Sequence, residues 1–198
     1  MKDNFTDAEM LYTKTAARHE HLCPRQVLGV RMGLHAAQHF QILLPQNDKR
    51  LFTIIETDGC FADGIAVATG CELGRRTLRL MDYGKIAATF IDTHTKQAIR
   101  VIPHPESRAS AQTHCAALLS PWHRYLEAYQ QLPDEVLFSM TEVTLSFSLD
   151  SLISKPSLKV NCELCGEEII NGREVLRNGS HLCRACASTA YYLQSEYH

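Results

Sequence analysis

Leu51-Phe52-Thr53-Ile54-Ile55-Glu56-Thr57-Asp58-Gly59-Cys60-Phe61-Ala62-Asp63 is the stretch on which the fold turns. Its first half is aromatic and β-branched, which reads as a strand. Asp58-Gly59 breaks the strand with a tight turn, and Cys60 opens a short helix over 60–69 that Gly70 closes. Working outward, residues 6–18 suit an amphipathic helix with Thr6 as N-cap and Glu9 as its capping-box partner. Residues 24–44 read as a longer helix, with Pro24 in its first turn, Pro45 past its end, and Leu28, Met32, Leu34 and Ala36 facing the core. Downstream, strands are expected at 77–81, 87–92 and 98–102. A helix follows at 106–131, interrupted at Pro121, and two further strands at 135–138 and 142–147. Helices and strands do not alternate regularly enough for a doubly wound sheet. The pattern predicts an α+β domain with an antiparallel or mixed sheet and flanking helices.

The chain has 198 residues, 45% hydrophobic and 21% charged, which suffices for a packed core. A net charge of −2 and a pI near 6.5 give no electrostatic reason to expect nucleic acid or an anionic membrane as partner. No apolar run approaches the ~20 residues of a membrane span. Residues 1–7 are acidic and polar where a signal peptide would be basic and then apolar, so a cytoplasmic protein is expected. Polar residues and Pro156 place a boundary near 150–160, dividing the chain into a core domain over 1–155 and a small domain over 156–198.

Eight cysteines and ten histidines need a reason in a reducing compartment. Cys162, Cys165, Cys183 and Cys186 form C-x2-C-x17-C-x2-C, spacing that aims four thiolates at one tetrahedral zinc. Gly166 follows the first pair, Asn171-Gly172 and Asn178-Gly179 mark turns around a strand at 173–177, and a terminal helix is expected from 183 or 184 to 197. A knuckle, a hairpin and a ligand-bearing helix together describe a treble-clef zinc finger. Its five basic and five acidic residues balance, which favours a structural or docking role over nucleic-acid binding.

His19-Glu20-His21-Leu22-Cys23-Pro24 is the second unusual segment. If it is extended, His19, His21 and Cys23 share one face, and Cys23 lies at a helix start that favours thiolate. Cys60 starts another helix with Asp63 one turn along, and Cys71 follows Gly70. These residues outline a core site for a second transition metal, with His21 and Cys60 central, His19 and Cys23 assisting, and Asp63 or Cys71 nearby. A mixed soft and borderline ligand set suits zinc or nickel.

The run His19-Glu20-His21-Leu22-Cys23-Pro24…Leu28-Gly29-Val30-Arg31-Met32 resembles the opening motif of the FmdE family, the E-subunit family of formylmethanofuran dehydrogenase. Residues 56–65, Ala68-Thr69-Gly70-Cys71-Glu72-Leu73-Gly74 and Asp82-Tyr83-Gly84-Lys85-Ile86-Ala87-Ala88-Thr89-Phe90 are similar to the same family in the same order. Glu20 and Arg25 stand where the opening motif has glycines, and Arg75-Arg76 where a Gly-Lys is common. The resemblance implies an α+β core, a His/Cys cleft able to hold a metal, a homodimer, and association with the subunits of molybdenum or tungsten enzymes or with a small-molecule ligand. Three functions are open: a metal-binding accessory protein, a thiol-dependent enzyme using Cys60, and a regulatory zinc-finger module.

Overall fold

Strand β1 (Leu51–Ile55) is second in a five-stranded sheet in the computed structural model, which describes residues 7–117, 120–149 and 157–193. The sheet order is β2-β1-β3-β4-β5, with β2 at Leu78–Leu80, β3 at Ala88–Asp92, β4 at Ala98–Pro103 and β5 at Phe138–Glu142. β1 pairs with β2 in parallel, Thr53 opposite Leu78, and every other pairing is antiparallel. The sheet is therefore mixed. Helices α1 (Ala8–Ala16), α2 (Pro24–Phe40), α3 (Cys60–Thr69), α4 (Ser107–His114), α5 (Pro121–Gln131) and α6 (Asp134–Leu137) flank it. Alternation along β1 turns Leu51 and Ile55 into the main core with Phe61, Phe90 and Val101. Phe52 and Ile54 are buried on the opposite face, where the Arg79 guanidinium lies 5.6 Å over the Phe52 ring.

The chain divides into two compact units, Met1–Phe147 and Ser148–His198. In the second, β6 (Lys159–Asn161) pairs with β7 (Glu168–Ile170), β8 (Val175–Arg177) pairs with β9 (Ser180–Leu182), and α7 is Arg184–Ala187. Among the described residues no helix is long and apolar enough to cross a membrane.

Several local expectations differ. Asp7 caps α1 by accepting from the Glu9 N–H at 3.0 Å, and the expected Thr6 cap lies outside the described residues. α2 ends at Phe40, four residues early, because Gln41 turns left-handed and the Ile42 N–H closes on the Ala37 carbonyl. The strand expected at 135–138 is α6: Pro133 sets its start, and Asp134 and Glu135 occupy a first turn that favours acidic residues. Residues 143–149 form no strand, since β4 has been matched to its end by Glu142. Within the expected terminal helix, α7 stops at Ala187, and the described residues after it, to 193, are not helical.

α2 and α3 run in the same direction and touch backbone to backbone. A Cβ on Gly29 would collide with the Phe61 carbonyl oxygen and come within 2.9 Å of the Ile65 nitrogen. One on Gly64 would collide with the Gln26 carbonyl oxygen, and one on Gly33 would sit 3.1 Å from Ala68 and Thr69. Contacts thus advance in step along both helices, which brings their starts, Cys23 and Cys60, to one end.

Gly29→Ala should lower stability by about 3 kcal/mol, since backbone cannot yield as a side-chain tip can. That is roughly 6–12 °C in Tm by calorimetry. Gly74→Ala, where an added Cβ meets nothing within 4 Å, should change it by less than about 0.5 kcal/mol. Glu20 has φ +63°, a conformation disfavoured for every residue with a Cβ. Glu20→Gly should therefore raise stability by about 0.5–1 kcal/mol, relief of strain exceeding the entropy of the glycine.

Candidate functional site

In the C-terminal unit the ligand atoms of Cys162, Cys165, Cys183 and Cys186 all lie within 4.8 Å of one another. The Cys165 and Cys183 sulfurs are 4.0 Å apart, close to the ~3.8 Å spacing of sulfurs in a tetrahedral shell with Zn–S near 2.3 Å. The first pair sits in a turn closed by the Gly166 N–H on the Cys162 carbonyl, with Gly166 at φ +79°. Cys183 caps α7, accepting from the Cys186 N–H at 3.4 Å. Backbone N–H groups of Cys165 and Cys183 point at the Cys162 sulfur and bring its thiol down to about 6. Hydrogen bonding with the Cys183 thiol, then burial, pushes Cys186 up to about 12. Four sulfurs with no carboxylate among them can hold a metal such as zinc.

Among the described residues this is the one group of three or more His, Cys, Asp or Glu side chains whose ligand atoms converge so closely. The core residues are arranged differently. Arg18 and His19 continue from α1 in a turn, and Glu20 is left-handed, so residues 19–23 are not an extended segment and do not share a face. His19 Nε2 lies 2.6 Å from Asp63 Oδ2, and Arg18 bonds the other oxygen of that carboxylate. His21 is exposed, its ring 6.4 Å from that of Trp122. Cys23 is buried as the N-cap of α2: its sulfur accepts from the Gln26 N–H, and the Gln26 side chain accepts from the Cys23 N–H.

Cys60 does meet Cys23, in keeping with the shared end of α2 and α3. Burial and then the hydrogen bond with the Cys23 thiol push the Cys60 thiol up, overriding the helix start that was expected to favour thiolate. Cys71 is fully buried. Its thiol donates to the Leu51 carbonyl at 3.3 Å and accepts from the Thr53 hydroxyl, so it is a packing residue remote in role from the Cys23–Cys60 pair.

Three features had no sequence motif to announce them. Glu56, buried at the end of β1, takes a bidentate ion pair from Arg100 at 2.6 and 2.7 Å. Arg31 reaches from α2 to the end of α5, donating to the carbonyls of Tyr129, Gln130 and Leu132 and to Asp134 at 2.6 Å. Burial opposes the Asp134 charge, but His35 and Arg31 outweigh it and hold its carboxyl below the usual range. With α5 so pinned, the i, i+3, i+7 set Trp122, Tyr125 and Tyr129 lines one wall of a cleft of about 550 Å³, and Cys23, Pro24 and Arg25 line another.

Comparison with known proteins adds the family. A family model described as "FmdE, Molybdenum formylmethanofuran dehydrogenase operon" matches residues 18–139. A protein of Archaeoglobus fulgidus, named "Probable S-adenosyl-L-methionine-binding protein", is 26% identical over 197 residues, covering 87% of this chain and 51% of its own length. The chain thus spans about half of that relative. The crystal structure of an FmdE-like protein of tungsten formylmethanofuran dehydrogenase, from Syntrophus aciditrophicus, is 22% identical. It aligns with a TM-score of 0.62 over 95% of this chain and 96% of that one, a likeness of fold. The family model takes in more than half of the sequence, including both helices that meet at Cys23 and Cys60, and the chain belongs to the FmdE family.

Proposed function

We propose that this chain is a metal-binding accessory protein of molybdenum or tungsten formylmethanofuran dehydrogenase systems, acting in the cytoplasm as a homodimer. The observation that carries this reading is the convergence of the four C-terminal sulfurs. They hold a structural Zn²⁺ in a treble-clef arrangement, which the knuckle at 162–165, the β8–β9 hairpin and Cys186 on α7 support. About 40 residues bury too little apolar area to fold well alone, and the metal supplies the missing stability.

The core holds a second transition metal, zinc or nickel, on Cys23 and Cys60, with His21 and His19 as the imidazole ligands of the same segment. Support comes from the meeting of the two thiols at paired helix starts. The fit is partial: two sulfurs are together, whereas His19 is engaged by Asp63 and must exchange that partner to reach a metal. The name of the Archaeoglobus relative supports a small-molecule ligand for the core as well. A thiol-dependent enzyme is the weaker reading, since burial raises the Cys60 thiol. The balanced charge of the finger weighs against a nucleic-acid module.

Elemental analysis of the full chain should give two metal equivalents, one of them zinc. Cys165→Ser should remove the zinc and unfold the residues after about 157, and a full zinc equivalent in that variant would exclude the finger assignment. The double variant His21→Ala, Cys60→Ala should lose one equivalent and keep the finger zinc; unchanged stoichiometry would sink the core site. Light scattering should give twice the 22.3 kDa chain mass, and a monomer throughout the micromolar range would overturn the dimer.

A further inference from the structure

The cleft between the start of α2 and the aromatic face of α5 encloses about 550 Å³, within the range of small-molecule sites. Its floor is apolar, made by Leu28, Ile86 and Pro103. Its wall is a ladder of rings: Tyr125 and Tyr129 stack at 5.7 Å and 19°, and Trp122 leaves 40% of its surface open. Arg25, from the first turn of α2, and Arg108, from the first turn of α4, are both exposed and both line the space. No carboxylate lines it. Arg108 hydrogen-bonds the Tyr129 phenol, and among the described residues neither arginine pairs with an acid.

We propose that this cleft binds a ring-bearing anion: a small molecule with a flat aromatic system and an attached phosphate, sulfonate or carboxylate. The aromatic ladder offers faces on which a planar ring stacks. Two guanidinium groups without protein counter-charges supply planar donor forks for the anionic group, and their bonds to it are charge-assisted. α2 and α5 both begin at this end of the core, Trp122 lying beside His21 and the Tyr129 carbonyl beside Arg31, so their N–H-rich ends add to the same sign of potential. Arg25 takes the place of a glycine in the family's opening motif, so this preference is a property of this chain's cleft. The inference deepens the reading that the core holds a small-molecule ligand and rests on it, but is independent of either metal.

Trp122 is the single tryptophan of the chain, so intrinsic tryptophan fluorescence reports on this cleft alone. Full-length protein would be titrated with two pairs of probes that differ only in the anion: adenosine monophosphate against adenosine, and anilinonaphthalene sulfonate against phenylnaphthylamine. Inorganic phosphate and S-adenosylmethionine complete the set, as an anion without a ring and a ring carrying a cationic sulfonium. Each ring-bearing anion should bind at least ~10-fold tighter than its neutral counterpart, the scale of a lost hydrogen bond to a charged group. Phosphate alone should leave the signal unchanged, and S-adenosylmethionine should bind more weakly than adenosine monophosphate. The double variant Arg25→Gln, Arg108→Gln, with its circular dichroism and metal content unchanged, should bind both members of each pair equally; Trp122→Phe should silence the response. Equal binding of anion and neutral partner by the wild-type chain, or a preference that survives loss of both arginines, overturns the proposal while leaving a small-molecule cleft intact. No Trp122 response to any probe overturns both.

Discussion

The backbone contact between α2 and α3 sets the position of nearly everything else in the core. Gly29, Gly33 and Gly64 are poor helix residues, each costing about 1 kcal/mol against alanine. They are tolerated because a side chain at 29 or 64 would strike a carbonyl of the opposing helix. With the two helices at that separation and running the same way, Cys23 and Cys60 have to meet. α2 then serves as the reference for α5 through the four bonds of Arg31, and α5 brings Trp122 and two tyrosines to the same end. Thiol pair, arginine and aromatic wall are neighbours because of three absent side chains.

The two groups of cysteines show how differently a fold can treat one residue type. In the finger, short turns aim backbone N–H groups at sulfur, and the chain around the four thiols has little apolar cover of its own. In the core, the thiols are secondary to helix packing: Cys23 works as a cap, Cys71 bonds within the sheet's edge, and Cys60 is pushed toward its neutral form. The first arrangement is organised around a cation. The second is stable by packing alone, and any ligand it takes must compete with existing partners such as Asp63 on His19.

What could be read from sequence follows the range of the interaction involved. β1, the Asp58-Gly59 turn and the start of α3 are local, and the residues state them outright. The finger cysteines are legible because C-x2-C spacing is itself the geometry. Reading 19, 21 and 23 as one face failed at a single dihedral: Glu20 adopts a left-handed conformation that its side chain gives no reason to expect. Residues 135–138 look like a strand by hydrophobic content, and only the chain's arrival from α5 through Pro133 makes them a helical turn. Trp122, Arg108 and Arg25 come from three separate helices, and no spacing along the chain could have joined them. The same is true of Glu56 with Arg100, 44 residues apart.

The common direction of α2, α3 and α5 also gives the core an electrical polarity that its net charge conceals. Aligned peptide dipoles place partial positive charge at one pole and partial negative charge at the other. A chain with a net charge of only −2 can therefore still be turned by the field of a charged neighbour before contact is made. An approaching acidic surface meets the pole that carries Cys23, Cys60 and Arg25 first. Such orientation acts on the frequency of productive encounters rather than on the strength of the complex, and it fades as dissolved salt shortens the reach of the field.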